Sequence, residues 1–175
     1  GVHHYPEYRE QYAYELKKAP PRDPYEPDFR AFEKAGRTLA ALHLDYETVE
    51  PWPVTEEAKP KGDLNDLAYY RVEKMRFASK GGREKDRSVI VFNSRITIKG
   101  IPEQAYDYMV NGKSAIEWVM DRYEAATDKE SGIKDDPNEW CRESNDPAYI
   151  LNLLKRVIRV SMDTVEIVGG LPSIQ

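Results

Sequence analysis

A change of hydrophobic period in the middle of the chain constrains its fold more than any other feature. Residues 88–93 read Ser-Val-Ile-Val-Phe-Asn and residues 95–99 alternate as Arg-Ile-Thr-Ile-Lys. A two-residue period puts successive side chains on opposite faces of a strand. Tyr69, Tyr70, Val72, Met75 and Phe77 extend the strand reading upstream to residues 69–77. The polar run 79–87, with Gly81 and Gly82, predicts a hairpin loop between the first two strands, and Asn93-Ser94 predicts a tight turn before the third. Short connections join antiparallel neighbours, so the expectation is a small antiparallel sheet. In its third strand Ile96 and Ile98 face the core, which leaves Arg95, Thr97 and Lys99 on the wet face.

On both sides of this region the period is helical. Pro6 followed by Tyr8, Tyr12 and Leu16 predicts a helix over residues 6–18, ended by Ala19-Pro20-Pro21. Asp28 can cap a second helix, with Phe29, Phe32, Leu39 and Leu42 at helical spacing, running to about His43. The Pro-containing stretch 50–62 reads as a connector. After the sheet, Gly100-Ile101-Pro102 breaks the strand and starts a short helix through Tyr106, and Asn111-Gly112 makes a turn. Ser114 with Glu117 three residues later is a capping-box pattern, predicting a helix over 115–122 with Ile116, Val119 and Met120 inward. Residues 127–143 read as a long polar loop anchored by Trp140. Asp146-Pro147 opens a last helix whose Ile150, Leu151, Leu154, Val157, Ile158 and Val165 form a broad apolar face, stopped by Gly169-Gly170. The expected fold class is therefore α+β: a small antiparallel sheet flanked by helices, with an N-terminal helical pair and a long C-terminal helix. Residues 1–50 are expected to pack as a helical segment on a main domain of residues 51–175.

Composition narrows the function classes. With 175 residues, 40% hydrophobic and 33% charged, and a mean hydropathy of -0.75, the chain reads as one globular domain with a helical extension and a heavily charged surface. Cys141 is the only cysteine, which excludes an internal disulfide and a thiolate zinc site and fits a reducing, cytoplasmic setting. No apolar stretch approaches the roughly 20 residues that span a bilayer, and Gly1-Val2-His3-His4-Tyr5 has none of the segments of a signal peptide. A start without Met that enters a helical pattern at once points to a chain cut from something longer.

The formal net charge of -5 hides an uneven distribution. From Lys59 to Lys113 there are twelve Lys and Arg against seven Asp and Glu, a local balance of +5 that leaves -10 for the two ends. A basic segment between acidic ends suits a surface that faces DNA. It equally suits a loop and edge strands kept soluble by Lys and Arg.

Catalytic patterns are missing at the sequence level. Asn111-Gly112-Lys113-Ser114 keeps only the tail of a phosphate-binding loop, since Asp107 stands where its earlier glycine is needed. Glu73-Lys74 and Glu33-Lys34 miss the acid-x-Lys spacing of metal-dependent nucleases. His3 and His4 have no accompanying ligand cluster, His43 reads as a helix-terminal or packed residue, and Cys141 reads as structural. The expectation is no catalytic residue and no metal site in this chain.

Three strings then become informative together: Tyr69-Tyr70-Arg71-Val72-Glu73-Lys74-Met75-Arg76-Phe77, Ile96-Thr97-Ile98-Lys99-Gly100-Ile101-Pro102, and Val110-Asn111-Gly112-Lys113-Ser114-Ala115-Ile116-Glu117-Trp118. With His4-Tyr5-Pro6-Glu7-Tyr8-Arg9, the run 36–44, Asp128-Lys129-Glu130-Ser131-Gly132-Ile133 and the run 135–138, they resemble the C-terminal specificity domain of type ISP restriction-modification enzymes over nearly the whole chain. Members of that family join a nuclease, a helicase-like ATPase, a coupling region, an adenine methyltransferase and this target-recognition domain in one polypeptide. The resemblance implies a non-catalytic module that recognises double-stranded DNA, in contact with the methyltransferase and coupling regions of its parent. The methyltransferase and ATPase motifs are absent from this sequence, so S-adenosylmethionine, ATP and Mg are expected in other domains.

On this reading Lys80, Arg83, Lys85 and Arg87 of the glycine-containing loop meet phosphates, while Arg76, Asn93, Arg95 and Lys99 on or beside strands reach base edges. Lys74 and Lys113 complete the expected DNA-binding set. The reading requires the central cations to gather on one continuous outer patch. Its rivals are a docking module that couples the methyltransferase and helicase-like domains without reading bases, and an enzyme fragment holding half of an active site.

Overall fold

One edge of the sheet is formed by a strand that no hydrophobic pattern announces, Thr55-Glu56-Glu57-Ala58. The computed structural model describes residues 28–58, 63, 65–82, 84–127, 132 and 134–172; the helix expected over 6–18 lies outside them. In chain order the helices are α1 (Phe29–Leu44), α2 (Leu67–Tyr70), α3 (Ala115–Arg122), α4 (Asn138–Glu143) and α5 (Tyr149–Gly169), with a 3-10 turn at Glu103–Tyr106. Strands β1 (Thr55–Ala58), β2 (Arg76–Gly81), β3 (Glu84–Val91) and β4 (Ile96–Lys99) form an antiparallel sheet in the order β1-β4-β3-β2. Two small pairs, β5 (Met109–Val110) with β6 (Lys113–Ser114) and β7 (Ala126–Thr127) with β8 (Lys134–Asp135), complete the α+β architecture.

Register decides which side chains are inside. Phe77 pairs with Ile90, Ile90 with Ile98, and Ile98 with Glu56, so this row faces the helices. The next row, Arg76, Val91, Thr97 and Glu57, faces outward. Ile90, Phe92, Ile96 and Ile98 are buried in one cluster with Ile116 and Met120 of α3 and Ile150, Leu151, Leu154 and Ile158 of α5. Each such side chain stabilises the fold by roughly 1.5–3 kcal/mol. Helix α5, 21 residues long, packs against the 3-10 turn, α3 and α1, and shares the core cluster with the sheet through Ile150, Leu151, Leu154 and Ile158. His43 of α1 lies 3.1 Å from the Thr164 hydroxyl of α5 and stacks on Tyr108, a packed role.

Several expectations are corrected. Residues 69–77 are not one strand: Asp66 accepts from the Ala68 amide and starts the one-turn helix α2, and β2 begins only at Arg76. Tyr69 and Tyr70 are both buried and meet edge to face, which a strand would forbid by sending consecutive side chains to opposite faces. Residues 50–62 contain β1, held at the edge by ion pairs of Glu57 with Lys99 at 2.7 Å and of Glu56 with Lys155 at 2.6 Å. Residues 127–143 include β8 and α4, and Trp140 is 53% exposed; the anchors of the segment are the buried Asn138 and Cys141. Asn138 exchanges two hydrogen bonds with the Val72 backbone, at 2.8 and 2.7 Å, and so ties α4 to the irregular segment that leads into β2. Phe29 is exposed, leaving Phe32 and Ala35 as the buried residues of α1. No helix among the described residues is long and apolar enough to cross a membrane.

Candidate nucleic-acid interface

Strand β4 pairs with β3 only at residues 89–91, whereas β2 follows β3 all the way to Gly81 opposite Glu84. Beyond the sheet the hairpin therefore continues as a two-stranded ribbon, where the sequence predicts a loop over 79–87. Register shifts between Phe77 and Ala78 and between Ser79 and Gly81 mark bulges, which bend a ribbon and increase its twist. The turn is made at Gly81 and Gly82, with φ of 124° and 59°, values a side chain tolerates poorly. Lys80 and Lys85 are exposed on this ribbon, and Arg83 lies outside the described residues. Lys80 reaches Glu84 at 3.9 Å, and the Lys85 ammonium lies 6.0 Å from the Phe77 ring centre. Asp86 is turned onto Ser88, whose hydroxyl and amide donate to it at 2.6 and 3.0 Å; these bonds hold its carboxyl below the usual range.

A clamp fixes the root of the ribbon. Tyr106 donates its hydroxyl proton to the Arg87 carbonyl, and the Arg87 guanidinium lies over the Tyr106 ring, 4.2 Å from its centre. The same guanidinium meets Glu117 at 3.5 Å, and its Nε is buried without a hydrogen-bond partner among the described residues. Glu117 closes the expected capping box with Ser114, accepting from the Ser114 amide at 3.3 Å while its own amide donates to the Ser114 hydroxyl oxygen at 3.2 Å. Arg87, read from sequence as a phosphate contact, is thus held against a ring and a carboxylate.

Asn93 is likewise committed to the fold. Its amide nitrogen donates to the carbonyls of Tyr69 and Arg71 at 3.0 and 3.1 Å, and its oxygen accepts from the amides of Arg95 and Ile96 at 2.8 and 2.7 Å. Two donors and two lone pairs are the full capacity of an amide side chain, so nothing remains for an adenine edge while the turn is intact.

The remaining cations divide. Lys74 pairs with Glu124 at 2.6 Å, Lys99 with Glu57 at 2.7 Å, and Lys113 with Asp121 while lying 5.4 Å from the Trp118 ring centre. Arg76 and Arg95 are exposed and have no ion-pair or hydrogen-bond partner for their side chains among the described residues. Both lie at the end of the sheet opposite the ribbon, Arg76 opening β2 and Arg95 closing the turn into β4. The central cations therefore form two groups separated by the length of the hairpin, with carboxylates neutralising others, in place of the single patch expected from sequence. Tyr106 as a clamp was not legible in the sequence, and Glu117 was legible only as a capping residue. Among the described residues no group of three or more His, Cys, Asp or Glu side chains could hold a metal ion.

The sequence model of the type ISP C-terminal specificity domain matches residues 1–153. Among solved structures, the chain is 45% identical to a nuclease-deletion mutant of the type ISP restriction-modification enzyme LlaGI in complex with a DNA substrate mimic, with a TM-score of 0.83, covering 99% of this chain and 15% of that one. It is 43% identical to the ATP-dependent type ISP restriction-modification enzyme LlaBIII bound to DNA, with a TM-score of 0.83, covering 98% of this chain and 10% of that one. It is 30% identical to DrdV in a complex with DNA, with a TM-score of 0.77, covering 99% of this chain and 17% of that one. Comparison with curated proteins gives no match. The chain spans between 10% and 17% of the length of these three relatives.

Proposed function

The chain belongs to the type ISP C-terminal specificity domain family, and from that premise we propose that it recognises double-stranded DNA on behalf of a larger restriction-modification polypeptide. The relatives captured with DNA support this reading. The observation that carries it is the ribbon of β2 and β3 projecting past β4. The major groove, about 12 Å wide, admits a two-stranded antiparallel ribbon. On this reading Lys80 and Lys85 of that ribbon meet phosphates, which fix register and supply salt-dependent affinity, and Arg83 keeps the same assignment from its place in the sequence. Arg76 and Arg95, uncommitted within the fold, are the side chains able to read guanine edges.

The chain itself carries out no reaction on this reading. S-adenosylmethionine, ATP and Mg act in the rest of the parent, and the methyltransferase and coupling regions are the protein neighbours of this module. The test is a titration of the 175-residue chain on mixed-sequence duplex at two salt concentrations. Binding that weakens steeply as salt rises is expected. Absence of binding at low salt overturns the proposal.

A further inference from the structure

A cavity of about 220 Å³ lies between α2, α4 and the turn before α5, with Leu67, Tyr70, Arg71, Asn138, Cys141 and Arg142 among its lining residues. None of these residues belongs to the DNA-contacting set read from the sequence. Asn93 locates the cavity within the molecule: one end of its amide bonds the Arg71 carbonyl and the other bonds the Arg95 amide. The wall bearing Arg71 is thus one side chain away from the turn bearing Arg95, at the sheet end remote from the ribbon.

The lining is rich in donors. Tyr70 is only 9% exposed overall, and its hydroxyl, which has no hydrogen-bond partner among the described residues, is the part that reaches solvent. Burial pushes its phenol above the usual range, with Tyr69, Glu56 and Asp146 adding to the effect, so it stays an O–H donor at neutral pH. Arg71 gives one N–H to Asp136 at 2.6 Å and keeps the others of its five. Arg142 is exposed and has no carboxylate partner among the described residues. Asp136 pairs with Arg71 and Glu56 pairs with Lys155, while Arg142 has no such partner among the described residues and Asp146 instead accepts from the Ala148 amide at 3.1 Å.

We propose that this cavity seats a phosphodiester of the DNA backbone, with Arg142, Arg71 and the Tyr70 hydroxyl donating to its non-bridging oxygens. A carboxylate side chain of the parent polypeptide carries the same single charge. The exposed Arg76 and Arg95 at the same sheet end favour a chain of regularly spaced anions over an isolated one. The inference rests on the DNA-recognition reading and gives the module a second anchor, so that ribbon and cavity hold the duplex at two separated points.

The experiment compares Arg142→Gln, Tyr70→Phe and the ribbon variant Lys85→Gln in the 175-residue chain on mixed-sequence duplex across a salt series. Arg142→Gln is expected to weaken binding about tenfold and to flatten the salt slope by about one unit, as loss of one phosphate contact does. Tyr70→Phe removes a neutral donor and is expected to weaken binding about threefold with the slope unchanged. Because Arg142 is exposed and Phe keeps the Tyr70 ring, unchanged urea midpoints are expected to show that both variants fold. In a second measurement, p-azidophenylalanine at position 67 on the cavity rim is expected to crosslink to duplex on illumination. If Lys85→Gln flattens the slope while Arg142→Gln does not, and position 67 yields no crosslink, the cavity proposal is overturned and the DNA reading stands. If the unmodified chain does not bind at all, both fall. If Arg142→Gln leaves duplex binding intact but loosens the module from its parent polypeptide, the cavity holds a protein carboxylate and the proposal is overturned.

Discussion

Tyr106 holds Arg87 twice: its hydroxyl donates a 2.6 Å hydrogen bond to the Arg87 carbonyl, and its ring centre lies 4.2 Å from the guanidinium carbon. Burial pushes the Tyr106 phenol well above its usual range, with surrounding carboxylates adding to the effect and Arg87 opposing it, so the hydroxyl remains a donor. Glu117 of α3 also meets the guanidinium, at 3.5 Å. The direction in which the ribbon leaves the sheet is thereby tied to the helical layer.

Arg87→Ala is expected to destabilise the chain by about 1–2 kcal/mol through the lost ring and carboxylate contacts. Arg87→Lys restores little, because an ammonium lacks the planar fork that spans ring and carboxylate. In both variants the salt slope of duplex binding is expected to match that of the unmodified chain. Urea denaturation reads the first effect and a salt series the second. A slope flattened by one unit would return Arg87 to the phosphate role that the sequence suggested.

Asn93→Ala leaves two carbonyls and two amides of the turn to find other partners, and an expected loss of about 2–3 kcal/mol follows from the net value of ordinary hydrogen bonds. Asn93→Asp keeps the two accepted bonds and places carboxylate charge against the Tyr69 and Arg71 carbonyls, so it is expected to be no better. The check is the urea midpoint together with base preference on permuted duplexes. Lost stability with unaltered preference is the expected outcome, and altered preference at full stability would make Asn93 a base reader.

What the sequence made legible was the local chemistry. The capping box of Ser114 and Glu117 is satisfied within one stretch of chain, and so is the Asn111-Gly112 turn, where both residues have positive φ. The apolar stripe of α5 was readable because a long helix on a core repeats its period many times. Most of the errors concern partners distant in sequence. Strand β1 has the composition of a loop and exists because β4 offers an edge and because Lys99 and Lys155 meet its glutamates. Hydrophobic content alone makes residues 69–77 resemble a strand, but Asn138, 66 residues downstream of Val72, holds that backbone in an irregular path. For the site, charge counting found the basic segment and was blind to pairing: Lys74, Lys99 and Lys113 find their carboxylates 50, 42 and 8 residues away in the chain.

Stability should also fall in acid for an identifiable reason. Burial raises the pKa of Asp136, but hydrogen bonds from Asn138 and from the Arg71 guanidinium outweigh it and hold the carboxyl below its usual value of 3.8. A carboxyl with a lower pKa folded than unfolded binds fewer protons in the native state. Its contribution is therefore complete above the unfolded pKa, near 4, and drains away as pH falls through the lower native value. Asp136→Asn is expected to lower stability at neutral pH by about 1–2 kcal/mol and to flatten the stability profile below about pH 4. Urea midpoints measured across that range give the comparison. Parallel profiles for the two proteins would assign the acid sensitivity to other carboxyls.

The two cationic groups should separate by what they do to specificity. Lys85 stands on the ribbon with its ammonium near the Phe77 ring, where a swinging point charge can follow a phosphate. Lys85→Gln is expected to reduce affinity on every sequence alike and to lower the salt slope by about one unit. Arg95 is different: its backbone amide is fixed by Asn93 while its side chain is exposed and uncommitted, so a planar donor fork is delivered from a rigid turn. Arg95→Ala is expected to cost about 1–3 kcal/mol on the cognate duplex and to relax discrimination at one base pair. A competition assay in which cognate and mixed-sequence duplexes are titrated side by side distinguishes the two behaviours. Equal weakening on both duplexes would make Arg95 a phosphate contact, and the base-reading role would then pass to Arg76 alone.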